Sequence, residues 1–259
     1  MSRRAAPVGR SRRAAPVGRR VLSQAVFDTR AVLANGEQLL LTLVLPLLAL
    51  VALARTTVLP VPGPAGLERV DVVAPGVLAV AVLSTAFTSQ AIATAFDRRH
   101  GVLRLLGTSP LGRGGLIAGR LLAVLVVQVV QLVVLGGTAL ALGWSPAPAG
   151  LAAAAVVGLL GTVVFVALGL LLGGTVRAEG VLAISNLVWV LLVAGGGVLL
   201  PSSSTGALEP VVRWLPSAAL GDGLRESLGG GSLPVRELLV LGCCALVATA
   251  AARRFFRWD

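Results

Sequence analysis

The side chains that could do chemistry gather in one segment, residues 96–115 (FDRRHGVLRLLGTSPLGRGG). It contains the chain's single histidine, His100, close to Asp97 and among four arginines. A lone histidine has no second histidine with which to share a metal, and His100 lies beside arginines rather than beside a serine that it could activate. The adjacent Cys243 and Cys244 lie in an apolar run and form neither a disulfide framework nor a ligand set. We therefore predict no catalytic, cofactor-binding or metal-binding residue.

Glycine-rich stretches such as AGGGVLL (194–200) and LGGGSLP (228–234) invite comparison with nucleotide-binding loops. The phosphate-binding loop requires a lysine, and all 22 basic residues of this chain are arginines. The glycines instead predict close packing between helices. We expect it at two pairs that each fall on one helical face, Gly158 with Gly161 and Gly169 with Gly173.

The composition is that of a membrane protein. Of the 259 residues, 56% are hydrophobic and 13% are charged, with a mean hydropathy of +0.92. Soluble domains have about 45–50% apolar and about 25% charged residues. The formal net charge of +11 could indicate a nucleic-acid partner, but the arginines separate apolar runs instead of forming one basic face. We therefore expect the lipid bilayer as a partner and no nucleic acid.

The apolar runs predict an all-α integral membrane protein with six spans. Each run approaches the roughly 20 residues that cross a bilayer, and none shows the alternation of a β-barrel strand. The predicted spans are 38–57, 75–96, 117–143, 150–175, 181–200 and 235–252.

The arginines predict the orientation. Seventeen of the 22 lie on one side of the predicted spans: eight before the first span, five from Arg98 to Arg120, Arg177 after the fourth span, and three in the tail. Positively charged loops face the cytoplasm, so we expect both termini and the 96–115 segment there. The absence of lysine and the excess of Ala, Arg, Gly and Val are typical of a GC-rich bacterial genome, which indicates the bacterial cytoplasmic membrane.

Four regions follow from these patterns. Residues 1–20 contain SRRAAPVGR twice and predict a disordered basic arm, and residues 21–38 predict an amphipathic helix on the cytoplasmic interface. That helix could serve as a plain anchor or as a docking site. The membrane domain with the six predicted spans occupies 38–252, and 253–259 form a cytoplasmic tail.

The 96–115 segment predicts two helices joined by an elbow. If the second span continues through it, a helix runs from Asp97 to Leu106 and ends at Gly107. Pro110 then begins the next helix, with Thr108 or Ser109 as its cap. A connector this long and bent is not needed merely to join two spans, since the four residues RAEG (177–180) join the fourth and fifth.

Three sequence stretches, GVLRLLGTSPLGR (101–113), RAVLANGEQLLLTLVLPLLAL (30–50) and VRWLPSAALGDGLRESL (212–228), occur in this order. They resemble the permease subunits of type-2 ATP-binding-cassette (ABC) exporters, in which a pattern like G-T-L-E-x-L-L-x-[ST]-P-[LV]-S-R follows the second span. The chain departs from the family with Arg99 and Arg104 at acidic positions. The resemblance covers about residues 25–252, and its matching positions in the first stretch are Gly101, Leu103, Leu106, Ser109, Pro110, Leu111 and Arg113.

The resemblance implies an exporter half with six spans and a re-entrant external segment in 212–228. A second permease subunit, identical or paralogous, would complete the path, and a separate ABC ATPase chain would use ATP and Mg. The 96–115 segment would be the coupling helix in a groove of that ATPase, which we expect to be more acidic than usual. The implied contact residues are Asp97, Arg98, Arg99, His100, Gly101, Arg104, Leu105, Leu106, Ser109 and Pro110.

The spans carry neutral polar residues near their middles, and no Asp, Glu, His or Arg lies there. This pattern disfavours a proton-coupled mechanism and a highly charged cargo. A lipophilic small molecule or a lipid fits better, with Gln128, Gln131 and Asn186 as candidate path residues. Two alternatives remain open at this point, a membrane scaffold or sensor that transports nothing and an ion-gradient-driven carrier.

Overall fold

The computed structural model describes residues 16–36, 40–56, 68–108 and 112–255, and every regular element within those ranges is helical. The first three helices are α1 (Val17–Ala34), α2 (Leu45–Arg55) and α3 (Arg69–Arg99). A π-helical turn, Leu40–Val44, precedes α2, and another, Ser84–Ser89, lies inside α3. The next helices are α4 (Val102–Thr108), α5 (Gly112–Ala141), α6 (Leu151–Thr175) and α7 (Ala178–Gly195). The last are α8 (Glu209–Val212), α9 (Pro216–Arg225) and α10 (Val235–Phe255).

Five helices are long and apolar enough to cross a membrane, namely α3, α5, the helix Pro148–Thr175 that contains α6, α7 and α10. They confirm an all-α membrane protein. The described part of the first predicted span is a shorter apolar helix, Thr42–Arg55. Six crossings therefore stay a prediction.

The second span begins earlier than predicted. Glu68 and Asp71 form a reciprocal capping box at the start of α3, so the helix begins at Arg69 rather than at residue 75. Hydropathy did not include this first turn of α3 because it contains charged residues, although Glu68 and Asp71 stabilise the start of the helix.

The fifth span ends earlier than predicted. Helix α7 stops at Gly195, and Gly197 adopts a left-handed φ of 72°, so residues 196–200 are not helical. Hydropathy alone could not show this end, because the apolar Val198, Leu199 and Leu200 follow the glycines.

The two end regions also differ from prediction. Helix α1 occupies Val17–Ala34 instead of 21–38, so residues 17–20 belong to it and not to the basic arm. The arm's first fifteen residues lie outside the described part. Helix α10 continues to Phe255, three residues into the predicted tail.

The bundle is built around α3 and α6. In the most apolar stretch of α3, 89% is buried inside the bundle, against 17% in the corresponding stretch of α7. A Cβ at Gly173 of α6 would lie 2.5 Å from the Ala91 carbonyl oxygen of α3, and one at Gly169 would lie 2.8 Å from the Phe87 oxygen. The predicted close packing at these two glycines is confirmed.

The two glycines of the other predicted pair, Gly158 and Gly161, have different surroundings. A Cβ at Gly161 would lie 2.7 Å from Leu220 of α9, so this glycine also allows close packing. Gly158 has no atom within 4 Å of such a Cβ, and the packing predicted there is wrong. Its missing side chain leaves open space.

Candidate functional site

The 96–115 segment bends at Gly101, six residues before the helix end predicted at Gly107. Helix α3 ends at Arg99, His100 caps it with an N–H that donates to the Phe96 oxygen at 2.9 Å, and Gly101 has a φ of +74°. This left-handed glycine ends a helix in the usual way. The predicted continuous helix from Asp97 to Leu106 is therefore wrong, and α4 begins afresh at Val102.

Helix α4 is short and has two unlike sides. Leu103 is fully buried, whereas Arg104 is exposed and Leu105 has 74% of its surface exposed. Leu103 thus anchors the helix to the bundle while its neighbours face outward. Among the other predicted contact residues, the side chain of Leu106 and the whole of Ser109 and Pro110 lie outside the described part.

The charged residues at the end of α3 bind other helices of the same chain. Asp97 forms an ion pair with Arg120 of α5. Arg98 donates to the Val176 oxygen at 2.6 Å, and Arg99 forms an exposed ion pair with Glu179 at 2.6 Å. Of the residues predicted to contact a partner, these three are engaged inside the chain. His100, Arg104 and Leu105 are exposed.

Arg120 is the centre of a buried polar cluster that the sequence reading missed. Only 4% of its surface is exposed, and besides Asp97 it donates to Thr94 Oγ1 at 3.0 Å. Its position near the start of the third apolar run was the available signal.

Helix α1 closes this cluster from the other side. Gln24 donates to Asp28 at 2.9 Å, and a Cβ at Gly119 of α5 would lie 2.9 Å from the Gln24 side chain. Burial raises the pKa of Asp28, while the charge of Arg120 opposes that rise. We call the set Gln24, Asp28, Thr94, Asp97 and Arg120 the Arg120 cluster. It joins α1, α3 and α5 directly beside the bend at Gly101.

Two of the three candidate path residues, Gln128 and Gln131, line the same cavity between α3, α5 and α6. Gln131 is buried and donates to Thr85 Oγ1 at 2.9 Å and to the Thr42 oxygen at 2.7 Å, so it joins three parts of the bundle. Gln128 accepts a hydrogen bond from Thr162 at 2.8 Å. Asn186 is exposed on α7. The structure does not bring Asn186 to this cavity.

The opposite end of the bundle is held by Arg225 of α9. Its guanidinium donates to the Val198 oxygen at 2.8 Å and to Asp222 at 3.0 Å, and Asp222 accepts from the Ser202 N–H at 3.2 Å. Burial lowers the pKa of Arg225 to about 10. These contacts fix the non-helical residues 196–200 against α9. Most of the predicted re-entrant segment, 212–228, is the short helix α9, and its place in the membrane stays a prediction.

Within the described ranges, His, Cys, Asp and Glu form no group of three or more that could hold a metal ion. Within the Arg120 cluster, Arg120 is instead paired with Asp97, and Asp28 accepts a hydrogen bond from Gln24. This arrangement can transmit movement between helices, and we assign it no chemical step.

Comparison with known proteins gives two matches. The family described as ABC-2 family transporter protein matches residues 55–253, which is most of the chain. A protein of Bacillus subtilis (strain 168) named "Putative transport permease YvfS" is 36% identical over 84 residues. That alignment covers 32% of this chain and 34% of the relative, so the chain spans about a third of the relative's length.

Proposed function

The chain belongs to the ABC-2 family of transporter proteins, and on this premise we propose that it is the membrane-spanning subunit of an ABC exporter. It is a multi-pass transport permease rather than an enzyme. We propose further that two such subunits, identical or paralogous, enclose a path in the bacterial cytoplasmic membrane. A separate ATPase chain would hydrolyse ATP with Mg, and the cargo moved outward would be a lipophilic small molecule or a lipid.

The observation that carries ATPase coupling is the two-sided α4. An element that transmits force must be held firmly by the bundle and must also offer a surface to the partner. Buried Leu103 meets the first condition, and exposed Arg104 and Leu105 meet the second. The exposed Arg104, beside the bend, favours an acidic groove on the ATPase.

The Arg120 cluster supports a route from α4 into the bundle. Asp97 lies four residues before the bend at Gly101 and is tied to Arg120 of α5. Since Gln24 of α1 also contacts α5, a shift of the 96–115 segment would act on α1, α3 and α5 together. Closure of the ATPase on ATP can shift the bundle between two conformations only if contacts of this kind have different strengths in the two conformations.

The experiment is capture of an ABC ATPase, sought among the genes beside the one that encodes this chain. Leu105→Asp places a charge in the proposed contact, and loss of a central contact of about 2 kcal/mol would weaken capture about 30-fold. The matched control is Leu208→Asp, because Leu208 is 64% exposed and lies in the opposite half of the bundle. Unchanged capture by Leu105→Asp would remove α4 from the ATPase contact.

Transport by inside-out vesicles separates the alternatives. An ABC exporter takes up cargo when ATP is supplied and continues after an uncoupler has collapsed the ion gradients. An ion-driven carrier stops with the uncoupler although ATP remains, and a scaffold or sensor takes up nothing. The Leu105→Asp protein should lose uptake to the same extent as it loses ATPase capture.

A further inference from the structure

A cavity of about 700 Å³ lies between α3, α5 and α6, in the half of the bundle remote from α4. Nearly all of its lining is apolar, and Trp144, just beyond the end of α5, contributes to its wall. Cavities of this size match those that bind small ligands, about 300–1,000 Å³. All of its lining residues belong to one protomer.

Glycines on two facing helices create this space. Gly137 of α5 and Gly158 of α6 line the cavity, and a Cβ at either would meet no atom within 4 Å. Gly173, farther along α6, has the opposite surroundings and would clash with α3. Close packing does not account for glycine at the two cavity positions, because a methyl group would fit at either. Alanine would also stabilise the helices more than glycine does.

The cavity is open on a face that meets lipid. Val133, Leu140 and Leu151 line it and have more than half of their surfaces exposed. Val133 and Leu140 belong to α5, a helix long and apolar enough to span the membrane, so acyl chains are its expected neighbours. Water is a poor occupant, because a buried water needs two to four polar partners.

The wall also carries two hydrogen-bond donors without acceptors in the described part of the chain. They are the indole N–H of Trp144, a side chain with 8% exposure, and the side-chain amide of Gln128. Trp144 follows the last turn of a predicted span, the level at which tryptophans meet the ester region of a bilayer. An acyl ester supplies the missing carbonyl acceptor together with an apolar chain.

We propose that this cavity binds an acyl chain of a bilayer phospholipid, drawn from the leaflet remote from α4. The chain would enter through the exposed side of α5 and lie against Gly137 and Gly158, with its ester end toward Trp144. The bound lipid becomes part of the protomer's packing between α3, α5 and α6. This binding needs neither ATP nor the ATPase.

Tryptophan fluorescence tests the proposal directly. A protein that retains Trp144 alone, with Trp189→Phe, Trp214→Phe and Trp258→Phe, is placed in vesicles of phosphatidylcholine that carries two bromine atoms near the carboxyl end of one acyl chain. Bromine quenches only at short range, and the buried Trp144 is poorly reached by lipid outside the cavity. We expect Trp144 to lose more than half of the emission that it shows in unbrominated vesicles.

Cavity-filling variants provide the comparison. Gly137→Leu and Gly158→Leu, made singly, should restore most of the emission, and Gly137→Ala should restore a smaller part. Gly242→Leu is the matched control, because a Cβ at Gly242 of α10 also meets no atom within 4 Å, while this residue does not line the cavity. It should leave the quenching unchanged.

Two results would overturn the proposal. The first is no quenching of Trp144, as expected if a second copy of the chain covered this face, and the second is quenching of the cavity-filling variants as strong as that of the parent. If the triple Phe protein does not fold, the emission of Trp144 is taken as the difference between the natural sequence and Trp144→Phe. Native mass spectrometry supplies a second readout, since the protein should retain one phospholipid more than Gly158→Leu does.

Discussion

Arg120 needs its partners because a guanidinium cannot shed its charge when it is buried. Asp97 and Thr94 of α3 accept its hydrogen bonds, and Asp28 of α1 adds a second negative charge nearby. Removing one member of such a cluster leaves the others buried and unpaired, which costs more than the pair itself contributes. The cluster therefore fixes the geometry of three helices beside the bend at Gly101.

Arg120→Leu should destabilise the protein by about 3 kcal/mol, because Asp97 and Asp28 lose their counter-charge while they remain largely buried. Arg99→Gln, which breaks the exposed pair with Glu179, should cost less than about 1 kcal/mol. Thermal unfolding in detergent, followed by circular dichroism, measures both. Equal shifts in Tm would contradict the buried role of Arg120. Adding Asp97→Asn to Arg120→Leu should recover part of the loss.

Asp28 predicts a pH dependence of α1 docking. Burial raises its pKa in the folded protein, so folding favours the protonated carboxyl. The resulting stability is fully present below the ordinary pKa of 3.8 and is lost as the pH rises through the raised folded value. The protection factors of the α1 amides, which correct for the intrinsic pH dependence of hydrogen exchange, should therefore rise on acidification. Asp28→Asn should remove this part of the pH response, and the same response in both proteins would refute the assignment.

At the scale of elements, the bend at Gly101 sets the direction in which α4 leaves α3. Its φ of +74° costs an L-residue about 1–2 kcal/mol, and no neighbour blocks a methyl group there. Gly101→Ala should thus lower stability by that amount and reduce ATPase capture. Gly114→Ala, in the helical start of α5, should be neutral or stabilise by about 0.5–1 kcal/mol. Tm and capture assays compare the two, and parallel behaviour would contradict a strained bend.

Two glycines of α6 offer a second paired test. Gly173→Ala places a methyl group 2.5 Å from the Ala91 oxygen and should destabilise by about 1–3 kcal/mol, because α3 and α6 must separate. Gly158→Ala points into the cavity and should stabilise slightly. Thermal unfolding distinguishes them. A loss for Gly158→Ala as large as that for Gly173→Ala would mean that the cavity is closed in the protein.

The sequence was informative where one signal dominated. Continuous apolar runs predicted the five long helices, because burial in a bilayer and helical hydrogen bonding act together. Element ends were less accessible, since the capping box at Glu68 and the stop at Gly195 depend on local polar and backbone geometry rather than on hydropathy. Helix α4 was expected, but the break at Gly101 instead of Gly107 was not, since glycine occupies both positions.

At the scale of the whole molecule, side-chain pairing is what the sequence could not supply. Asp97, Arg98 and Arg99 looked like a surface for a partner, whereas each reaches another helix of the same chain. Gln131 looked like a path residue, yet its amide binds Thr85 and the Thr42 oxygen. Residue type predicted polarity in the bundle. The partners depended on which helices are neighbours, which hydropathy does not encode.

The number of crossings follows from where the two ends of α3 lie. Arg69, at the start of α3, donates to the Leu53 oxygen of α2 at 2.6 Å, while Asp97, near its other end, meets Arg120 beside Asp28 of α1. Helix α3 is about 46 Å long at 1.5 Å per residue. The chain from α1 to the end of α2 therefore runs the length of a spanning helix. This path predicts a sixth crossing and places the end of α10 on the same side as α1.

Cysteine labelling tests that topology. In a Cys243→Ala, Cys244→Ala background, a membrane-impermeant maleimide is applied to intact cells and to lysed cells. Ser23→Cys in α1 and Arg254→Cys in α10 should react only after lysis, and Ser203→Cys, between α7 and α8, should react in intact cells, because the arginine-rich side faces the cytoplasm. Opposite accessibility of residues 23 and 254 would mean that α2 does not cross. Labelling of both in intact cells would reverse the orientation.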